Sequence, residues 1–158
     1  MRYVYEYLKS KETLDFPVLI QEEGNANKVK TKFMEDEDAT LLATGAFWEG
    51  IDIKGKSLSN LIIVRLPFPL VDPIVDAKAR EYTDGFGKVY LKEMLLKLKQ
   101  GIGRAIRSSE DTAIISILDS RITRYNERYD NEIFDNFEEY SITNDMNEVK
   151  SFIKKKIL

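Results

Sequence analysis

Three short stretches limit what this chain can fold into: Thr40-Leu41-Leu42-Ala43, Leu61-Ile62-Ile63-Val64 and Ala113-Ile114-Ile115-Ser116-Ile117. Nearly continuous apolar runs of this length suit strands covered on both faces, as in a parallel sheet flanked by helices. Each run passes at once into polar, turn-forming residues. Thr44-Gly45 follows the first, with Glu49-Gly50 and Asp52 close behind; Arg65-Leu66-Pro67-Phe68-Pro69 follows the second, and Asp119-Ser120-Arg121 the third. Ligands of open α/β sheets bind beyond the carboxyl ends of the strands. These three loops are therefore candidates for one shared site.

Between the runs the spacing is helical. Tyr3, Val4, Tyr7 and Leu8 predict a helix over Tyr3–Lys11, with no strand before it, and Phe16–Ile20 reads as a short strand. Asn25 is placed to cap a helix over 26–35, and the four acids Glu35–Asp38 read as a solvated loop. Pro67, Pro69 and Pro73 lead into a helix over 73–83; Gly85 and Gly87 then break the chain before a long helix over 88–107. Tyr125–Phe137 predicts one or two short surface helices. Asn144 or Asp145 would cap a final helix with the stripe Met146, Val149, Phe152 and Ile153, whose closing Lys154-Lys155-Lys156 complements the helix dipole.

Composition removes several classes of chemistry. At 158 residues, with 43% hydrophobic and 32% charged, the chain reads as one globular domain over 1–158. A net charge of −3 argues against a uniformly basic nucleic-acid coat, so any DNA contact must be local or shared with another domain. With no cysteine and no histidine, thiolate metal sites, Ser-His-Asp triads and histidine proton shuttles are excluded within this chain. Carboxylates, lysines, arginines and backbone remain. No apolar run approaches a membrane span and no signal peptide is visible, so a cytoplasmic location with no membrane partner is expected.

The long helix carries the sharpest feature. Gln100, Gly103, Arg104 and Arg107 fall at i, i+3, i+4 and i+7, which is one helical face. Leu91, Leu95, Leu98, Ile102 and Ile106 form an apolar stripe turned roughly 160–200° away from it at 3.6 residues per turn. One side is built for a core; the other presents two forked cations suited to phosphate oxygens. Gly103 leaves room for another surface, or a nucleotide, to come close.

Gln100-Gly101-Ile102-Gly103-Arg104-Ala105-Ile106-Arg107 resembles motif VI of superfamily 2 helicases, in the form used by the XPD/DinG branch. Thr44-Gly45-Ala46-Phe47-Trp48-Glu49-Gly50-Ile51-Asp52 resembles motif V of the same branch. Arg65-Leu66-Pro67-Phe68-Pro69, Asp72-Pro73 and Leu98-Lys99 are also similar to DinG sequences. The likeness runs from about Val4 to Arg121. It implies an α/β, RecA-like three-layer α/β/α domain with a mainly parallel sheet that lacks its first strand: the second motor lobe of an ATP-dependent DNA helicase.

The resemblance also implies roles. Arg107 and Arg104 match arginines that reach the γ-phosphate from the second lobe, with Arg107 as the finger, and Gln100 matches a phosphate- or water-sensing glutamine. Gly50, Asp52 and Gly103 would line the nucleotide side of the cleft. Thr44, Phe47 and Trp48 would link that cleft to single-stranded DNA, although Trp48 suits packing under the loop as well as base stacking. Glu49 suits a hydrogen bond to loop amides, and Asp119 with Arg121 suits either an ion pair at a strand end or a nucleotide contact. No Gly-x-x-x-x-Gly-Lys-[Ser/Thr] loop and no Asp-Glu-x-His motif occurs in the chain. ATP with Mg2+ is thus expected to be bound mainly by a first RecA-like lobe outside this sequence, with no metal site in this chain. The chain is expected to be a fragment, inactive alone. Two rivals stand beside this reading: a stand-alone, non-catalytic RecA-like module binding DNA or protein, and a phosphohydrolase using Glu49, Asp52 and Asp119.

Overall fold

The computed structural model describes residues 1–36, 38–45, 58–123 and 127–156. They fall into two compact units, Met1–Leu58 and Ser59–Leu158. Each is mixed α/β and each contains a pair of parallel strands. This is the α/β class that the apolar runs predict, and it agrees with a RecA-like fold.

In the first unit, helix α1 (Arg2–Lys9) lies against strand β1 (Val18–Ile20), which pairs in parallel with β2 (Thr40–Leu42) in the register Val18↔Thr40 and Ile20↔Leu42. Helix α2 (Ala26–Glu35) makes the crossover between them and buries Val29 and Phe33. Phe33 packs with Leu19, Ala39, Leu41 and Leu58. Asn25 does precede α2, but its side chain bonds elsewhere. Its Oδ1 accepts from Glu22 N–H at 2.8 Å and its Nδ2 donates to the Ile20 carbonyl at 3.3 Å, so it braces the turn before the helix.

In the second unit, β3 (Asn60–Ile63) pairs in parallel with β4 (Ile114–Ile117), Ile63 opposite Ile117. Asp72 caps α3 (Pro73–Arg80): its Oδ1 accepts from the Ile74 and Val75 N–H groups at 2.8 and 3.0 Å, and Pro73 fills the first helical position, where no N–H is needed. Before the main helix α4 (Lys92–Ala105) stands a six-residue π-helical turn, Phe86–Leu91. Here Gly85 and Gly87 are chosen for space. A Cβ on Gly85 would sit 2.3 Å from the Ala79 carbonyl oxygen, and one on Gly87 2.5 Å from Asp84 Oδ2. Asp84 Oδ1 accepts from Gly87 N–H at 2.9 Å and from the Tyr129 hydroxyl at 2.5 Å, and Tyr90 donates to Asp76. Phe86 is surrounded by the rings of Phe68, Tyr90 and Tyr129 at 5.2–6.4 Å.

The core of this unit is built around the stripe anticipated on the long helix. Leu91, Met94 and Leu98 are fully buried, and Leu95 and Ile102 are 5% exposed. Helices α5 (Glu127–Asp135) and α6 (Met146–Lys156) close the chain, with Asp145 Oδ1 accepting from Asn147 N–H at 2.8 Å.

Two expectations are corrected. The run in β3 is not covered on both faces: Leu61 and Ile63 turn inward while Ile62 is 54% exposed, the period-two alternation of a half-buried strand, whereas every residue of β2 and β4 is half-buried. Nor is α5 a surface helix throughout, because Ile133 is fully buried and Phe137, just beyond it, is 8% exposed.

Candidate functional site

Helix α4 brings Gln100, Gly103 and Arg104 onto one face, opposite the buried stripe. Gln100 and Gly103 are exposed and Arg104 is half-buried. Among the described residues, a Cβ built on Gly103 meets nothing within 4 Å, so no packing among them calls for a glycine there. Replacing it with alanine should raise the stability of the chain alone by about 0.5–1 kcal/mol, from helix propensity. A melting curve checks this, and an unchanged or lower midpoint would contradict it.

Arg107 is placed differently from the sequence expectation. The helix ends at Ala105, not at 107, and Ile106 is extended at φ −124°, ψ 103°. Arg107 therefore leaves the helical face and stands, exposed, on the following loop. Ile106 likewise leaves the stripe and is only half-buried. What holds the loop is Asp111. Its Oδ2 accepts from the N–H groups of Arg107 and Ser108 at 2.9 and 2.8 Å and from the Ser108 hydroxyl at 3.1 Å. These bonds, led by the one from the Arg107 N–H, pull the Asp111 carboxyl below its ordinary value. Sequence reasoning passed over Asp111. The signal available was a Ser-x-x-Asp pattern, Ser108 to Asp111, whose side chains compete with helical hydrogen bonding.

At the carboxyl ends of β3 and β4 two of the three candidate loops do meet. Asp119, 8% exposed at its side chain, accepts from Leu66 N–H at 2.8 Å, from Arg121 N–H at 3.0 Å, and from Arg121 Nη2 at 2.6 Å. Arg121 also donates to the Leu66 carbonyl at 3.4 Å and lies over the Phe68 ring at 5.0 Å. This is the ion-pair alternative for Asp119 and Arg121, and it clamps Leu66–Phe68 to the end of β4. The Arg121 guanidinium, opposed by burial and helped by the two N–H donors, holds the Asp119 carboxyl far below the usual range.

A carboxyl lowered on folding binds its proton more weakly in the folded than in the unfolded chain. Its stabilisation is complete above the unfolded value of about 4 and is lost as pH falls below it toward the folded value. Asp119→Asn should cost about 1.5–3 kcal/mol at neutral pH, the range for hydrogen bonds to a charged group. The loss should shrink on acidification below about pH 4. Urea titrations across pH check this; a pH-independent difference would contradict it.

In the first unit, Gln21 Oε1 at the end of β1 accepts from Thr44 N–H at 2.9 Å and from the Thr44 hydroxyl at 3.2 Å. Thr44 thus opens its loop tied to the neighbouring strand end, and Gln21 is a second residue the sequence reading missed. Phe47, Trp48, Glu49, Gly50 and Asp52 lie outside the described residues. A groove in this unit, lined by Tyr5, Leu19, Lys28 and Lys32 among others, contains none of the predicted site residues. Among the described residues, no helix is long and apolar enough to cross a membrane.

A parallel-strand α/β chain with an amide and a guanidinium on the outer face of a core helix has relatives of known kind. The helicase C-terminal domain model matches residues 1–140, and the chain belongs to that family, in its DinG-like form. It is 34% identical over 161 residues to the ATP-dependent DNA helicase YoaA of Haemophilus influenzae, covering 99% of this chain and 24% of that protein. It is 36% identical over 124 residues to the ATP-dependent helicase DinG of Mycobacterium tuberculosis, covering 74% and 19%. It is also 41% identical over 104 residues to the 3'-5' exonuclease DinG of Bacillus subtilis, covering 63% and 11%. The chain spans about a quarter or less of the length of these curated relatives.

Proposed function

We propose that this chain is the second motor lobe of an ATP-dependent DNA helicase and completes an ATP site whose first RecA-like lobe belongs to the same enzyme. The observation that carries the reading is the two-sided helix α4. Leu95, Leu98 and Ile102 anchor one side, while Gln100, Gly103 and Arg104 occupy the other, with open space at Gly103. That donor set fits a polyphosphate. Arginine forks match phosphate oxygens, and the missing side chain at Gly103 admits a close neighbour.

In this reading ATP and its Mg2+ are held mainly by the first lobe. The metal there neutralises phosphate charge. Arg104 orients the γ-phosphate, and Gln100 senses it or the attacking water. Arg107 stabilises the charge that builds as the β–γ bond breaks, a contribution of roughly 10³–10⁵ in rate for such arginines. Gly50, Asp52 and Gly103 line the nucleotide side. Thr44, Phe47 and Trp48 carry the link to single-stranded DNA, so that closure and opening of the lobes step them along the strand. This chain alone hydrolyses no ATP.

The direct test compares ATP hydrolysis by this chain with that of a protein carrying both lobes, with and without single-stranded DNA. Turnover in the two-lobed protein alone supports the reading. Metal-dependent phosphatase activity in the isolated chain would instead favour the carboxylate hydrolase, and tight, salt-sensitive strand binding without any turnover in the two-lobed protein would favour the binding module.

A further inference from the structure

The main helix stops two residues short of Arg107. An arginine on a helix inherits its position from the core beneath it. Arg107 has no such inheritance, because Ile106 is extended and turns the chain away. A side chain that must meet developing charge within a fraction of an ångström needs its backbone fixed by something. Three hydrogen bonds converge on one atom at this point: Arg107 N–H, Ser108 N–H and the Ser108 hydroxyl all donate to Asp111 Oδ2, at 2.8–3.1 Å. Asp111 N–H returns a bond to the Ser108 carbonyl at 3.2 Å, and Glu110 N–H donates to Ser108 Oγ at 3.3 Å. The loop 107–111 is closed on itself.

The geometry points to Asp111 as the positioning residue of Arg107: one carboxylate oxygen sets where the arginine leaves the backbone. The inference rests on the reading of Arg107 as the γ-phosphate arginine. In this role Asp111 acts through Arg107: its Oδ2 takes three donors from the loop itself and so organises the loop. An asparagine oxygen, with two lone pairs, can keep the two backbone N–H bonds without the charge, whereas alanine accepts none. That difference separates hydrogen bonding from charge.

The test uses the two-lobed protein. Asp111→Ala should lower kcat for ATP about 10–100-fold, as expected for a misplaced catalytic group, and leave KM within about threefold. Asp111→Asn should stay within about threefold of the unaltered protein, and in an Arg107→Ala background Asp111→Ala should cost about nothing more. Normal kcat in Asp111→Ala overturns the inference. So does an Asp111→Asn variant as poor as the alanine, or an undiminished loss in the Arg107→Ala background. If Arg107→Ala itself turns over normally, the arginine reading fails, and amide exchange in this chain decides the positioning role separately. Asp111→Ala should then speed exchange at Arg107 and Ser108 about tenfold while leaving Leu98 unchanged; unchanged exchange at all three overturns it.

Discussion

Arg107→Ala in the two-lobed protein is expected to cut ATP turnover by about 10³-fold or more while ATP binding changes only slightly, because a guanidinium placed for the transferring phosphoryl group acts chiefly in the transition state. Single-turnover hydrolysis and equilibrium ATP binding, measured on the same variant, separate the two effects. Near-normal hydrolysis would remove the central claim. Lysine at the same position should restore little, since a point charge does not reproduce the planar fork.

Leu98→Ala carries the largest expected loss of stability. The side chain is fully buried against the unit's core, one turn below Ile102 on the stripe that anchors α4. Truncation there should cost about 3–5 kcal/mol through lost transfer energy and the cavity left behind. Against a total of about 5–15 kcal/mol for an ordinary domain, that brings the unit close to unfolding. Urea melts read it directly; a change below about 1 kcal/mol would mean that the stripe is not what holds the helix. Gly103→Ala, five residues along the same helix, is expected to move stability the other way.

What the sequence showed clearly was whatever has a strong period. The leucine stripe of α4 was legible because 3.6-residue spacing over Leu91–Ile102 has no competing explanation. The π-helical turn ahead of it was not, since a single turn of six residues is too short to show a period of its own. The end at Ala105 was missed because Ile106 continues the apolar period while the hydrogen bonds of Asp111 draw the chain out of it. Tyr129, Ile133 and Phe137 do fall at i, i+4 and i+8, yet the acids around them made α5 read as surface. The fork of Asp119 and Arg121 was visible as a pair, but its grip on Leu66, 53 residues away from Asp119 in sequence, belongs to tertiary structure alone.

The break at Ile106 divides the two arginines between different mechanical parts. Arg104 is fastened to the main helix, above its buried stripe. Arg107 rides a short arm with its own tether. In the proposed motor, the stroke and its trigger are therefore adjustable one at a time. In that reading a change at Ser108 or Asp111 would retime hydrolysis while leaving the buried side of the main helix untouched.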